Sequence, residues 1–195
     1  MKIERIELHH VDMPLAHPFE TSFGREITRP CILVAVHIGG LTGWGECTAH
    51  SGPWYSSETI ETAWHVLRDF LIPEVLGQDV ESPADVVARF GRVRGHPMAR
   101  AALENAVWDA LAQVRAVSLT NLLGGGRDRV PVGVSVGIEP TLDELLDRVM
   151  GHVAEGYARI KLKIKPGWDV AVVRAVRERW PDLQLQVDAN SAYTL

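Results

Sequence analysis

Three regimes of hydrophobic spacing follow one another along the chain. At the start, Ile3, Ile6 and Leu8 stand among charged neighbours ahead of "VDMPL", which predicts an antiparallel strand closed by Pro14. "AHPFETSFGREITRP" reads as a polar loop with Gly24 and two aromatic residues. "CILVAVHIGGLTGWGEC" predicts two strands around a Gly39-Gly40 turn, and "TAHSGPWYSS" a second irregular loop.

The spacing then becomes helical. Ile60, Trp64, Leu67 and Leu71 share one face of a helix that Ser56 or Ser57 can cap, with Pro73 near its end. Ser82-Pro83 suits the opening of a second helix. "HPMARAALENAVWDALAQVRA" predicts a third, with an alanine-rich face that allows close packing and an end near "LLGGGRD".

From Val130 the period changes again. "VPVGVSVGI" is almost wholly apolar, as in a strand buried on both faces of a parallel sheet. An amphipathic helix follows, opened by Thr141 and stopped by Gly156. The strand "ARIKLKI", the helix "GWDVAVVRAVRERWPD" and the strand "LQLQVDAN" complete a β-α-β-α-β series with short links, which predicts parallel strands. An antiparallel α+β module thus gives way near Gly126 to the start of an α/β unit.

Composition narrows the function. The chain has 195 residues, 46% hydrophobic and 23% charged, with a net charge of -5. That balance predicts no general affinity for nucleic acid or anionic membranes. "MKIERIELHH" is not a signal peptide, and "CILVAVHI" is too short to span a bilayer. Cys31 and Cys47 form neither a disulfide framework nor a zinc spacing and read as buried thiols of a reducing cytoplasm.

The chemistry concentrates in "RIKLKIKPG". Lys161 and Lys163, two apart on a strand, share one face, and Ile160, Leu162 and Ile164 share the other. A solvated strand face explains this pattern as simply as a site does. The sharper reading is a lysine pair at the C-terminal mouth of a barrel, where a second cation disfavours the ammonium form and so suits a general base. Asp188 ends the next strand, as a turn aspartate or as an oxygen ligand for a hard cation. Asn190 either supports it or merely makes the turn. Lysines and a carboxylate on consecutive strand ends converge on one mouth. Lys165, past the motif, keeps the solvated reading. "GGGRD" lacks the residues of a phosphate loop and reads as a helix stop and interdomain link. Ser135 has no nucleophile-elbow context and suits a substrate hydrogen bond.

Taken together, "MPLAHPFETSFG", "GWGEC", "GPWYSSE", "LLGG", "VPVGVSVGI", "GYARIKLKIKPGWDVAVVRAVRERWPD" and "QVDANSAYTL" resemble the N-terminal half of the enolase superfamily. The resemblance is to its muconate-lactonizing subgroup, and within that to the o-succinylbenzoate synthase / N-acylamino acid racemase family. It implies an α+β capping domain (antiparallel strands plus helices) over residues 1–127. An α/β modified TIM barrel, (β/α)7β, would follow over 128–195, truncated after about the third barrel strand.

By the same resemblance, Lys163 is the acid/base that removes a proton α to a carboxylate. Lys161 stabilises the enolate and helps hold Lys163 unprotonated. Asp188 is the first of three ligands for Mg2+ (or Mn2+), with Asn190 behind it. This scheme is the one known for the superfamily and comes with the likeness. Two capping loops would select the substrate, one around Phe19, Thr21, Ser22 and Phe23, the other around His50, Gly52 and Trp54. Phe19 would be an apolar wall, His50 stands where an apolar residue is expected, and Ser135 would lie near the acyl tail.

The implied reaction is the syn elimination of water that forms 2-succinylbenzoate in menaquinone synthesis. N-acylamino acid racemization is the alternative, dipeptide epimerization a weaker one, and a non-catalytic fragment or binding module a rival of another class. The expected partner is a small-molecule carboxylate, with no nucleic acid or membrane, and a homo-oligomer at full length. Val130 to Leu195 is only about 65 residues, against about 250 for a whole barrel. The expectation is therefore a truncated, inactive chain, with the remaining metal ligands and an opposing lysine beyond residue 195.

Overall fold

The computed structural model describes residues 1–194. It opens with three strands, β1 (Ile3–Thr21), β2 (Gly24–Ile38) and β3 (Leu41–Cys47), adjacent in that order. Ile38 pairs with Leu41 across Gly39-Gly40, whose φ angles of 56° and 77° suit glycine, so this hairpin is as the sequence predicts.

The first hairpin is not. Pro14 does not close β1, and "AHPFETSFGREITRP" is no loop. Both strands run through it to a turn at Ser22-Phe23. β1 is an edge strand, where a proline's missing N–H costs little. Pro30 of β2 lies beyond Ile32, whose partner Cys47 is the last residue of β3, so it too interrupts no β2–β3 pair.

Helices follow: α1 (Ile60–Val66), a π turn (Leu67–Leu71), α2 (Ile72–Val75), α3 (Pro83–Arg89), α4 (Pro97–Val114) and the short α5 (Leu119–Leu122). The cap of α1 is Thr59, not Ser56 or Ser57. Its hydroxyl accepts from Thr62 N–H, and Thr62 answers with its own side chain on the Thr59 N–H. Pro73 sits inside the helical run, with the π turn ahead of it absorbing the irregularity of the missing amide. Ser82 and Asp85 form a capping box at α3. α4 ends at Val114 rather than at the glycines, because Ala116 takes a φ of 53°.

Two devices seat α4. Gly43 and Gly45 of β3 lie against its alanine face, where an added Cβ would collide with the Ala106 and Ala102 carbonyl oxygens. Glu58, 3% exposed, accepts from the N–H groups of Met98 and Ala99 at 2.8 Å each, so a buried carboxylate meets the positive end of the helix. The core around them joins Val34, Val36, Leu67, Leu71, Phe90, Leu103 and Leu111.

A second sheet has β4 (Gly133–Val136), β5 (Arg159–Lys163) and β6 (Gln184–Asp188), all parallel and in that order. α6 (Leu142–Ala154) and α7 (Val170–Arg179) connect them, capped by Thr141 and Asp169. Ile160 and Leu162 are buried with Leu145, Val149, Val172 and Val176, as the pattern predicts. β4 is less buried than its sequence suggests. Val130 and Val132 are 64% and 61% exposed, because the ladder begins only at Gly133 and has one neighbour among the described residues.

The chain divides into two compact units, Met1–Met13 with Arg29–Gly126, and Pro14–Thr28 with Arg127 onward. The tip of the first hairpin thus groups with the parallel strands. Among the described residues no helix is long and apolar enough to cross a membrane.

Gly45→Ala is expected to destabilise the chain by about 3 kcal/mol, since backbone rather than a flexible side chain must yield. Gly91→Ala, with open space at its Cβ, should change stability by less than about 0.5 kcal/mol. Denaturant melts of the two variants check the difference.

Candidate active site

Parallel pairing sets rows of side chains across one face of the second sheet. Ser135, Lys161 and Gln186 stand in one row, and Lys163 stands beside Asp188 in the next. Alternation sends Ile160 and Leu162 to the helices and leaves both lysines on the opposite face.

The lysines converge. Lys161 Nζ lies 2.7 Å and Lys163 Nζ 2.9 Å from the same oxygen, Asp188 Oδ2. Asp188 Oδ1 accepts from the Asn190 N–H at 2.9 Å, and Asn190 Oδ1 accepts from Lys163 at 2.7 Å. Asn190 holds a φ of 47°, a left-handed conformation that asparagine tolerates better than most side chains, and it bends the chain back toward the lysine. The hydrogen bond from Lys161, then that from Lys163, then the Asn190 amide hold the Asp188 carboxyl well below the usual carboxylate range. Lys163 is 8% exposed; Lys161 is half-buried. The Phe19 ring lies 6.0 Å from the Lys163 ammonium.

The other expected residues divide. Ser22 donates its hydroxyl to the Ala189 carbonyl at 2.7 Å, next to Asp188. Thr21 is buried and engaged within its own turn, donating to the Gly24 carbonyl. Phe23 is 40% exposed. Ser135 is exposed on the lysine face. His50 and Trp54 belong to the first unit. There the His50 ring meets Arg29 at 3.0 Å and lies 5.6 Å from Tyr55, while the Trp54 indole covers Gly52.

One reading changes, that of Lys165, and two residues were not foreseen, Glu20 and Gln186. Lys165 is not simply solvated: its ammonium lies 3.1 Å from Glu20 Oε1. Gln186 shares the lysine row. Glu20 was hidden by reading its strand as loop, whereas counting two residues back from Asp188 along its strand would have marked Gln186. Among the described residues no group of three or more His, Cys, Asp or Glu side chains could hold a metal ion. Asp188 offers one hard oxygen donor, now engaged by ammonium groups.

Known proteins resemble the chain along its whole length. The family model described as mandelate racemase / muconate lactonizing enzyme, N-terminal domain, matches residues 4–124, and that described as enolase C-terminal domain-like matches 144–195. An o-succinylbenzoate synthase of Geobacillus kaustophilus is 50% identical over 196 residues, covering all of this chain and 52% of the relative. An N-succinylamino acid racemase of Amycolatopsis sp is 51% identical, covering all of this chain and 53% of the relative. A solved mandelate racemase / muconate lactonizing enzyme from Roseovarius nubinhibens, complexed with magnesium, is 29% identical with a TM-score of 0.89. It is matched by 100% of this chain over 55% of its own. The chain spans about half the length of the curated relatives it matches.

The lowered Asp188 carboxyl fixes a pH dependence. A group whose folded pKa is depressed contributes stability above its unfolded value, near 3.9, and loses it as pH falls through the folded one. Asp188→Asn is expected to cost about 2 kcal/mol at pH 7. The gap to the parent chain should narrow below about pH 4, as unfolding curves at pH 7 and pH 3 would record.

Proposed function

Because the chain belongs to the mandelate racemase / muconate lactonizing enzyme family, we propose that it carries the proton-abstracting half of an o-succinylbenzoate synthase-type site. The observation that supports this most directly is the pair of ammonium groups meeting one carboxylate at consecutive strand ends. Residues 1–127 are then the capping domain and 128–195 the first part of the barrel.

In this reading Lys163 takes the proton α to the substrate carboxylate. It is nearly buried beside an aromatic ring, so its protons exchange with substrate rather than with bulk water. Lys161 is the less buried cation and faces the enolate that forms. Asp188 and the Asn190 amide keep both lysine side chains extended toward the mouth. Ser135, in the Lys161 row, reaches the acyl tail, and Phe19 walls the site.

Asp188 would supply one oxygen ligand to Mg2+, or Mn2+, and further carboxylates would come from beyond residue 195. When bound, such a cation neutralises the enediolate. The donor chemistry fits, since Mg2+ is commonly held by one or two carboxylates plus water and substrate. The protein would act on a small carboxylate, as a cytoplasmic homo-oligomer.

N-acylamino acid racemization is a second reading, favoured by the 51% identity to the Amycolatopsis racemase. It uses the same enolate and needs a lysine on each face of the substrate. In a protein of full barrel length, α-proton exchange of an N-succinyl amino acid in D2O with Mg2+ tests both. Lys163→Ala should reduce exchange on its face by at least about 10²- to 10⁴-fold. Unchanged exchange on that face would remove Lys163 from the role. Relative dehydration and racemization rates then rank the two activities.

A further inference from the structure

The tip of the first hairpin is tied to all three parallel strands of its unit. Just past β4, the Ile138 N–H donates to the Glu20 carbonyl at 2.9 Å. Gly137 lies so near that an added Cβ would stand 3.1 Å from the Glu20 nitrogen. Just past β6, Ser22 donates to Ala189 O at 2.7 Å. Just past β5, Lys165 meets Glu20 at 3.1 Å. The same tip carries Phe19, whose ring faces the Lys163 ammonium.

We propose that Glu20 and Lys165 are positioning residues: their ion pair holds the hairpin tip on the strand ends and so keeps Phe19 against Lys163. Neither need touch substrate. Their effect is to fix the apolar wall beside the base and limit water there. The inference rests on the reading of Lys163 as base for its consequence, but not for the docking itself.

The local geometry favours this role over a chance surface pair. Lys165 and Trp168 exchange two main-chain hydrogen bonds, at 3.2 and 2.8 Å, around Gly167 with its φ of 84°. That tight turn fixes the Lys165 backbone, so the side chain leaves it in a set direction. Glu20 is fixed through its own carbonyl. Ordering two long side chains therefore costs less than in an isolated pair. At 41% and 32% side-chain exposure the pair remains open to salt.

Two nuclear magnetic resonance readouts on the 195-residue chain test it. The ring-current displacement of the Lys163 ε-methylene protons reports Phe19, and amide exchange at Ile138 reports the tie to Glu20. Lys165→Met and, separately, Glu20→Gln should shrink the displacement and speed Ile138 exchange about two- to fivefold. Protection in Leu41–Cys47 should not change. The exchanged pair Glu20→Lys with Lys165→Glu should restore both signals, and about 1 M salt should reproduce the Lys165→Met state in the parent chain. Unchanged displacement and exchange in both single variants, or no rescue by the exchanged pair, would overturn the proposal. Global unfolding of one variant would show as lost protection in Leu41–Cys47 and leave the other variant to decide. No turnover is read, so failure here leaves Lys163 as base. Conversely, α-proton exchange that survives Lys163→Ala would defeat the function while the docking stood.

Discussion

The pairing register of β5 with β6 is the constraint on which the site depends. It opposes Lys163 to Asp188, and the period of two then brings Lys161 to the same carboxylate. A slip of one residue would turn both ammonium groups into the cluster of Leu145, Val149, Val172 and Val176, and would turn Ile160 and Leu162 out. Burying two unpaired cations costs far more than any local contact could return. Hydrophobic packing on the helix face and the cost of burying ammonium groups there therefore choose the same register, and together they enforce the polar geometry on the other face.

The second constraint is non-local. Glu20 and Ser22 reach partners 145 and 167 positions later in the chain. Such contacts carry the full loop-closure cost, which grows only slowly with length. The hairpin meets it with several ties at once, one of them to backbone beside Gly137, where an added Cβ would stand only 3.1 Å from the Glu20 nitrogen. The consequence is an aromatic ring, Phe19, brought from the beginning of the chain to the ammonium group of Lys163.

What was legible in the sequence followed period and caps. The alternation of Ile160, Lys161, Leu162 and Lys163, the Gly39-Gly40 turn, Thr141 and Gly156 each express one local rule, and the structure obeys them. The first hairpin was illegible because its prolines argue against strand while edge position and the end of β3 make them harmless, and position in a sheet is a tertiary fact. Glu58 and Glu20 were missed for a related reason. Each acts on residues far along the chain, the first on the amides opening α4, the second on Lys165, and no spacing rule connects them. The convergence of Lys161 and Lys163 on a single oxygen was foreseen only as a shared face. The roles assigned to these residues came from family likeness, whereas the rows across the sheet come from pairing.

The charges at the mouth carry a further implication. Two ammonium groups and one carboxylate leave a net positive cluster, which suits an anionic substrate before any cation enters. A divalent ion beside Asp188 would compete with both ammonium groups for Oδ2 and stand close to two like charges. Favourable binding of Mg2+ therefore requires more negative charge than Asp188 brings, either from added carboxylates or from the substrate itself. In the proposed role the lysine pair would have two electrostatic tasks that pull apart: to tolerate a cation next to it and to take up a proton from substrate. Asp188 would hold such a cation, and its carboxylate, shared now between both ammonium groups and the Asn190 amide, is where the two tasks meet. By that argument Asp188, the carboxylate on which both lysines converge, couples the charge of the mouth to the proposed base, Lys163.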